Sequence, residues 1–171
     1  TRVTTLTAQT LFSAESENLR TYQRLDAHEA AHQWFGDLLT CKDWSHIWLN
    51  EGFATYYTHL YDGHKSGVEE MRYRLWLDAQ GILSNTDEKP MVWRGFRDPF
   101  EQFDYRAYPK GSWVLHMLRS QLGPDLFRRC VSAYLDRHRN RNVVTHDLAA
   151  VIEELSGRSW DEFFDQWVFH G

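Results

Sequence analysis

The chain has 171 residues, of which 42% are hydrophobic and 15% aromatic, and its 24 acidic side chains outnumber 19 basic ones for a net charge of −5. This length suits about one domain, and so much aromatic surface excludes a mainly disordered chain. The acidic balance argues against a general binder of nucleic-acid phosphates. No apolar run is long enough to predict a membrane-spanning segment.

Cysteine usage excludes two further classes of protein. Cys41 and Cys130 are the only cysteines, and they form no C-x-x-C pair. The sequence therefore predicts neither a disulfide framework nor a thiolate zinc site, although one bridge between these two residues is left open.

The first part of the chain predicts a strand and then a helix. Residues 3–11 are rich in β-branched side chains and partly alternate in polarity, which is typical of a short strand. From residue 19 to residue 35, apolar and aromatic side chains recur three and four positions apart. This spacing predicts a helix with Gly36 as its stop.

Two more helices are predicted before the middle of the chain. The first covers residues 44–61 and is expected to end at Gly63. The next is expected to begin at Ser66, because Ser66 and Glu69 have the spacing of a capping box, and to run to about Gly81.

The second half of the chain begins with an irregular segment and continues with helices. Residues 84–108 show little periodicity, and long loops of this kind are often functional. The predicted helices that follow cover residues 110–122, 124–138, 145–155 and 159–169, the last with a capping box formed by Ser159 and Glu162. The expected fold is mainly α, with one short N-terminal strand and no β-α-β alternation.

His28, Glu29 and His32 form an H-E-x-x-H segment inside the first predicted helix. Side chains four apart on a helix face the same way, so the two imidazoles can bind one metal ion. Zinc bound by two histidines needs a third protein ligand, and Glu51 on the next predicted helix is the natural supplier. Glu29 points about 100° away from His28, where it can reach a water beside the metal. The alternatives are two surface histidines and a solvated carboxylate.

The segments HEAAHQWFGD and WLNEGFATYY resemble the zinc aminopeptidase family that includes aminopeptidase N and leukotriene hydrolase. The resemblance implies that His28, His32 and Glu51 bind one Zn²⁺ and that Glu29 is the general base. It also implies a catalytic tyrosine in a Y-x-K-G segment, which here is Tyr108-Pro109-Lys110-Gly111. Tyr105 is a nearby alternative, and a packing role for Tyr108 is the other. The implied fold is the helical lobe of a thermolysin-like catalytic domain.

One family segment is not found in this sequence. The family has a G-x-M-E-N segment upstream of the metal-binding helix, and its glutamate binds the free α-amine of the substrate. Methionine occurs here only at positions 71, 91 and 117. We therefore expect residues 1–171 to be a single domain that is a fragment of a longer peptidase, whose amine-binding segment and flanking domains lie outside it.

The expected function is hydrolysis of N-terminal peptide bonds by zinc-activated water. The expected partners are a peptide substrate and the missing domains of the parent chain, without nucleic acid or a membrane segment. A related zinc epoxide hydrolase and a non-catalytic scaffold are the alternatives. Asp37, Asp43 and Asn50 are candidates to accept the second N–H of a metal-bound histidine. The remaining histidines lack ligand spacing and are expected on the surface or in the core.

Overall fold

The computed structural model describes residues 4, 6 and 22–170. The strand predicted over residues 3–11, apart from residues 4 and 6, lies outside the described residues, as does the first turn of the helix predicted from residue 19. The helices are α1 (Gln23–Ala31), α2 (Trp48–Ser66), α3 (Val68–Leu83), α4 (Gly111–Leu122), α5 (Pro124–Arg137), α6 (Thr145–Ser156) and α7 (Asp161–Phe164). The protein is therefore mainly α, as predicted.

Short elements connect these helices. The 3-10 helix Trp44–His46 precedes α2. A second 3-10 helix, Pro99–Gln102, interrupts the loop predicted over residues 84–108. The π-helical turn Arg106–Lys110 leads into α4, and a second π-helical turn, Asp165–Phe169, follows α7. The helix predicted over residues 159–169 is thus a short α-helix continued by a wider turn.

Helix α2 lies at the centre of the fold and packs against α1, α3 and α4. Every residue from Trp48 to Ala54 is buried, so the start of α2 is covered on all sides. The polar side chains of Asn50 and Glu51 are buried there together with the apolar ones. The α2 side chains Trp48, Phe53 and Tyr56 belong to one core cluster together with residues from α4, α5 and α6.

The predicted boundary at Gly63 and both predicted capping boxes are wrong. Helix α2 continues through Gly63 to Ser66, and Gly67, with φ of 96°, separates it from α3. Ser66 is therefore the last residue of α2 and cannot cap α3 with its side chain. At the other site α7 begins after Trp160, without a side-chain cap, and the hydroxyl of Ser159 accepts a hydrogen bond from the backbone of Asp161 instead.

A two-stranded parallel sheet joins distant parts of the described chain. Strands β1 (Leu39–Cys41) and β2 (Arg141–Val143) pair with Leu39 opposite Arg141. The sequence analysis missed both strands, because three residues are too few to show a period of two. Cys41 is half-buried, Cys130 is buried, and neither forms a disulfide. None of the helices between residues 22 and 170 combines the length and the apolar character that a bilayer crossing requires.

Candidate metal centre

The candidate centre lies between α1 and α2. The guanidinium of Arg24 near the start of α1 pairs with the carboxylate of Asp62 near the end of α2, whereas His32 after α1 meets Glu51 at the start of α2. These two contacts show that the helices run in opposite directions. The pairing fixes the register in which the histidines of α1 face the first turn of α2.

Three ligand atoms converge at this point. The Nε2 atoms of His28 and His32 are 3.1 Å apart, and the Oε2 atom of Glu51 is 3.2 Å from the first and 3.3 Å from the second. Bonds of about 2.0–2.2 Å to a tetrahedral zinc ion place its ligand atoms roughly 3.3–3.6 Å from one another. The triangle of nitrogen and oxygen atoms therefore fits a zinc ion after a small expansion. Among the described residues these are the only His, Cys, Asp and Glu side chains grouped in this way.

A backbone carbonyl orients His32. Its Nδ1 atom lies 3.0 Å from the carbonyl oxygen of Phe35, which makes Nδ1–H the donor and leaves the lone pair of Nε2 directed at the centre. Histidine ligands of metals commonly donate their second N–H in this manner. None of the expected acceptors does this for His32: Asp37 is exposed and Asp43 caps the following 3-10 helix, while Asn50 is buried in α2.

Glu51 is buried in the first turn of α2, where the helix dipole favours a negative charge. Burial by itself would raise the pKa of this carboxyl group. Hydrogen bonds with His28 and His32 outweigh that effect and lower the pKa to about 2. The side chain is therefore an anion at any pH near neutrality, as a zinc ligand has to be.

Glu29 and Tyr108 stand beside the triangle without belonging to it. Glu29 follows His28 on α1 and is half-buried. The ring of Tyr108 stacks on that of His28 with 6.2 Å between centroids. Burial, with the nearby charges of Glu51 and Glu29, raises the pKa of Tyr108 to about 12, so its hydroxyl is a proton donor at neutral pH.

The structure distinguishes Tyr108 from Tyr105. The hydroxyl of Tyr105 donates a hydrogen bond of 2.8 Å to the carbonyl oxygen of Asp87 and so holds the long loop. Tyr108 lies in the π-helical turn Arg106–Lys110, in which the N–H of Lys110 reaches back to the carbonyl of Tyr105. Such wide turns occur frequently at functional sites.

Sequence reasoning missed Arg106, two residues before Tyr108. Its side chain is only 2% exposed, and its Nε atom donates to the carboxylate of Asp104 at 2.9 Å. Its other nitrogens donate to the carbonyl oxygens of Glu101 and Pro90. Because Arg106 sits at a break in helical periodicity, no pattern in the sequence marks it as a buried anchor.

A mainly helical domain with two histidines one turn apart, a glutamate from the next helix and a second glutamate beside them has the arrangement typical of zinc metallopeptidases. The model of the peptidase family M1 domain matches residues 2–167. The chain belongs to peptidase family M1.

Individual relatives agree with this assignment. The chain is 40% identical over 179 residues to aminopeptidase 2 of Candida albicans, a match that covers 97% of this chain and 19% of the relative. It is 36% identical over 151 residues to aminopeptidase M1 of Arabidopsis thaliana, with 83% and 17% covered. The chain thus spans less than one fifth of the length of these two relatives.

A solved structure shares the fold. An M1 zinc metallopeptidase from Deinococcus radiodurans, crystallised as a mutant bound to a Tyr-Ser-Ala substrate, superposes with a TM-score of 0.72 at 31% identity. The superposition covers 92% of this chain and 34% of that one. The helical architecture described above is therefore that of a zinc metallopeptidase.

Proposed function

We propose that His28, His32 and Glu51 bind one Zn²⁺ and that this chain is part of the catalytic domain of an aminopeptidase. The observation that carries the proposal is the near-equilateral triangle of two imidazole nitrogens and one carboxylate oxygen, with sides of 3.1–3.3 Å. Its sides are slightly shorter than the roughly 3.3–3.6 Å edges of a zinc coordination tetrahedron, so a small expansion would accommodate the ion. Membership of family M1 supports the reaction, since the matched relatives are named aminopeptidases.

The residues of the chain divide the chemistry among them. Zinc, when bound, supplies a Lewis acid for a water molecule and for the scissile carbonyl. Glu29 takes a proton from the attacking water and delivers it to the leaving amine. The hydroxyl of Tyr108 donates a hydrogen bond to the oxyanion that develops on the carbonyl oxygen.

We also propose that residues 1–171 form one part of a larger protein. The chain spans less than one fifth of the length of two matched aminopeptidases. The segment that would bind the free α-amine is not found in this sequence. In this proposal, that segment and the flanking domains are supplied by the rest of the parent chain. The substrate is a peptide with a free N-terminus.

Zinc content tests the metal site directly. The purified chain, loaded with zinc and then desalted, should hold one zinc ion per molecule. Inductively coupled plasma mass spectrometry measures this zinc content. Glu51→Gln removes one ligand and should lose most of it. His64→Gln is the matched control, because His64 lies on the exposed end of the same helix. Equal zinc in wild type and Glu51→Gln would refute the ligand set.

Hydrolysis by the full-length protein tests the reaction. Leucine p-nitroanilide should be cleaved, and the N-acetylated compound should not, because its amine is blocked. Equal cleavage of both compounds would replace the aminopeptidase by an endopeptidase. No cleavage of either, by a protein that holds zinc, would favour a scaffold. The relatives give no support to the epoxide hydrolase, since the matched curated proteins named above are aminopeptidases.

A further inference from the structure

Two glycines meet where α2 crosses the start of α4. A Cβ atom placed on Gly52 would lie 2.9 Å from the Cα atom of Gly111 and 3.2 Å from the carbonyl oxygen of Ala107. A Cβ atom on Gly111 would lie 2.9 Å from the Cα atom of Gly52. Carbon atoms in contact are normally about 3.5–4.0 Å apart, so either methyl group would force the two backbones to separate.

The residues beside this crossing are those of the candidate centre. Gly52 directly follows Glu51, and Ala107, whose carbonyl oxygen faces Gly52, directly precedes Tyr108. Gly111 itself is the first residue of α4, after the π-helical turn that contains Tyr108. The atoms that would clash belong to the backbone, and they cannot move aside as a flexible side chain can.

We infer that the backbone contact between Gly52 and Gly111 positions the hydroxyl of Tyr108 relative to Glu51 and the two histidines. The inference rests on the proposed function and adds to it a pair of positioning residues. All three ligand atoms are held by the packing of α1 against α2. Tyr108, in contrast, comes from a later part of the chain. The glycine crossing is the point at which that later part touches α2 next to a ligand.

Helix preference does not account for these glycines. Glycine weakens a helix relative to alanine, and Gly111 has φ of −58° and ψ of −46°, which alanine adopts without strain. Gly81 in α3 is a matched control, because a Cβ atom there would meet nothing within 4 Å. Gly81→Ala should therefore raise the melting temperature and leave the reaction unchanged. Gly111→Ala makes the same substitution in a helix, at a buried position where the added methyl group meets the backbone of Gly52.

The test compares Gly111→Ala with Gly81→Ala in the full-length protein. Gly111→Ala should lower kcat about 10- to 100-fold, as expected for a displacement below 1 Å, with a much smaller change in KM. Its zinc content should stay at one ion, since the three ligands lie on α1, after it and on α2. Gly52→Ala should in addition weaken zinc binding, because the crowded residue adjoins Glu51.

A double-mutant cycle separates positioning from general damage. If Gly111 acts through Tyr108, Gly111→Ala should cost less than about threefold in kcat once Tyr108 is phenylalanine. If Gly111→Ala lowered kcat by the same factor with tyrosine and with phenylalanine at position 108, the two losses would be independent and the inference would be overturned. An unchanged kcat in Gly111→Ala alone would overturn it as well.

A readout without turnover distinguishes this inference from the proposed function. With 3-fluorotyrosine at position 108, the fluorine resonance should shift in Gly111→Ala and stay in place in Gly81→Ala. An inactive wild-type protein with this pattern would refute the aminopeptidase and leave the positioning intact. A resonance that does not respond to Gly111→Ala would refute the positioning, whatever the activity.

Discussion

Among single residues, Glu29, the proposed general base, should be separable from metal binding. It is not one of the three converging ligand atoms, so Glu29→Gln should retain zinc. Loss of the general base should lower kcat by about 10²–10⁴-fold. Steady-state kinetics with metal analysis checks this, and Asp37→Asn, an exposed acidic residue shortly after α1, is the control. A variant that keeps its turnover would remove Glu29 from the mechanism.

The two tyrosines of the turn before α4 should behave differently. Tyr108→Phe removes the donor proposed to stabilise the developing oxyanion and should lower kcat roughly 10²- to 10³-fold, with less effect on KM. Tyr105→Phe removes the hydrogen bond to the carbonyl of Asp87 and should cost about 1 kcal/mol of unfolding free energy with kcat unchanged. The reverse pattern in the rate measurements would exchange the two roles.

At this scale the sequence predicted most of the candidate site, because helix geometry alone places His28 and His32 on one face. Glu51 was a candidate third ligand because it lies on the next predicted helix and because the family resemblance implies it. The carbonyl of Phe35 as the partner of His32 could not be predicted, since it depends on how the chain leaves α1. The buried contacts of Arg106 likewise depend on the path of a loop without periodicity.

Among the structural elements, the segment between α3 and α4 is an ordered loop held by Arg106. Arg106→Leu should lower the unfolding free energy by about 2–4 kcal/mol, because Asp104 and two carbonyl oxygens lose their donor. Urea unfolding measures this loss, and a glutamate-specific protease, whose sites in the loop neither substitution alters, should cut the loop faster than in wild type. Arg97→Leu, at an exposed position of the same loop, should leave both measurements unchanged.

The helices themselves were predictable, and their ends were less so. Apolar spacing located α2 and α3 correctly, but both Gly63 and Gly67 could have ended α2. Gly67 does so because the chain has a positive φ there, whereas Gly63 stays helical at a place where a Cβ atom would lie 3.2 Å from the Cβ atom of Met71. The competition between two nearby glycines is decided by packing against α3, which local sequence does not contain.

For the whole molecule, His46 ties the start of α2 to α6. Its ring is buried, and Nδ1 accepts a hydrogen bond from the backbone N–H of Thr145, whose hydroxyl accepts another from the indole of Trp48. Burial, helped by the charges of Arg94 and His146, lowers the pKa of His46, although Asp43 and Asp147 oppose this. The folded protein therefore holds the neutral imidazole, which matches the acceptor role of Nδ1.

This connection should make stability fall in mild acid. A depressed histidine pKa contributes stability above the unfolded value of about 6.5, and that stability is lost as the pH drops below it. Between pH 6.5 and 5.5 the loss from His46 amounts to at most about 1.4 kcal/mol. Urea unfolding in metal-free buffer should show a steeper pH dependence for wild type than for His46→Gln. Parallel curves would show that His46 does not titrate in this range.

The parallel pair of β1 with β2 and the contact of His46 with Thr145 both close the chain over about a hundred residues. Neither contact produces a pattern among neighbouring residues. The helices could therefore be predicted from the sequence, whereas these two long-range contacts could not.

The hairpin of α1 and α2 affects how substitutions in different parts of the chain would change metal binding and turnover. All three candidate ligands fall within residues 28–51, so the loop that must close to assemble them is short and its entropic cost is low. Tyr108 belongs to a later part of the chain, separated from α2 by α3 and the long loop. A substitution that displaces only the turn holding Tyr108 should therefore lower turnover and spare metal uptake. Zinc content reports on the hairpin, whereas kcat reports on the integrity of the fold that surrounds it.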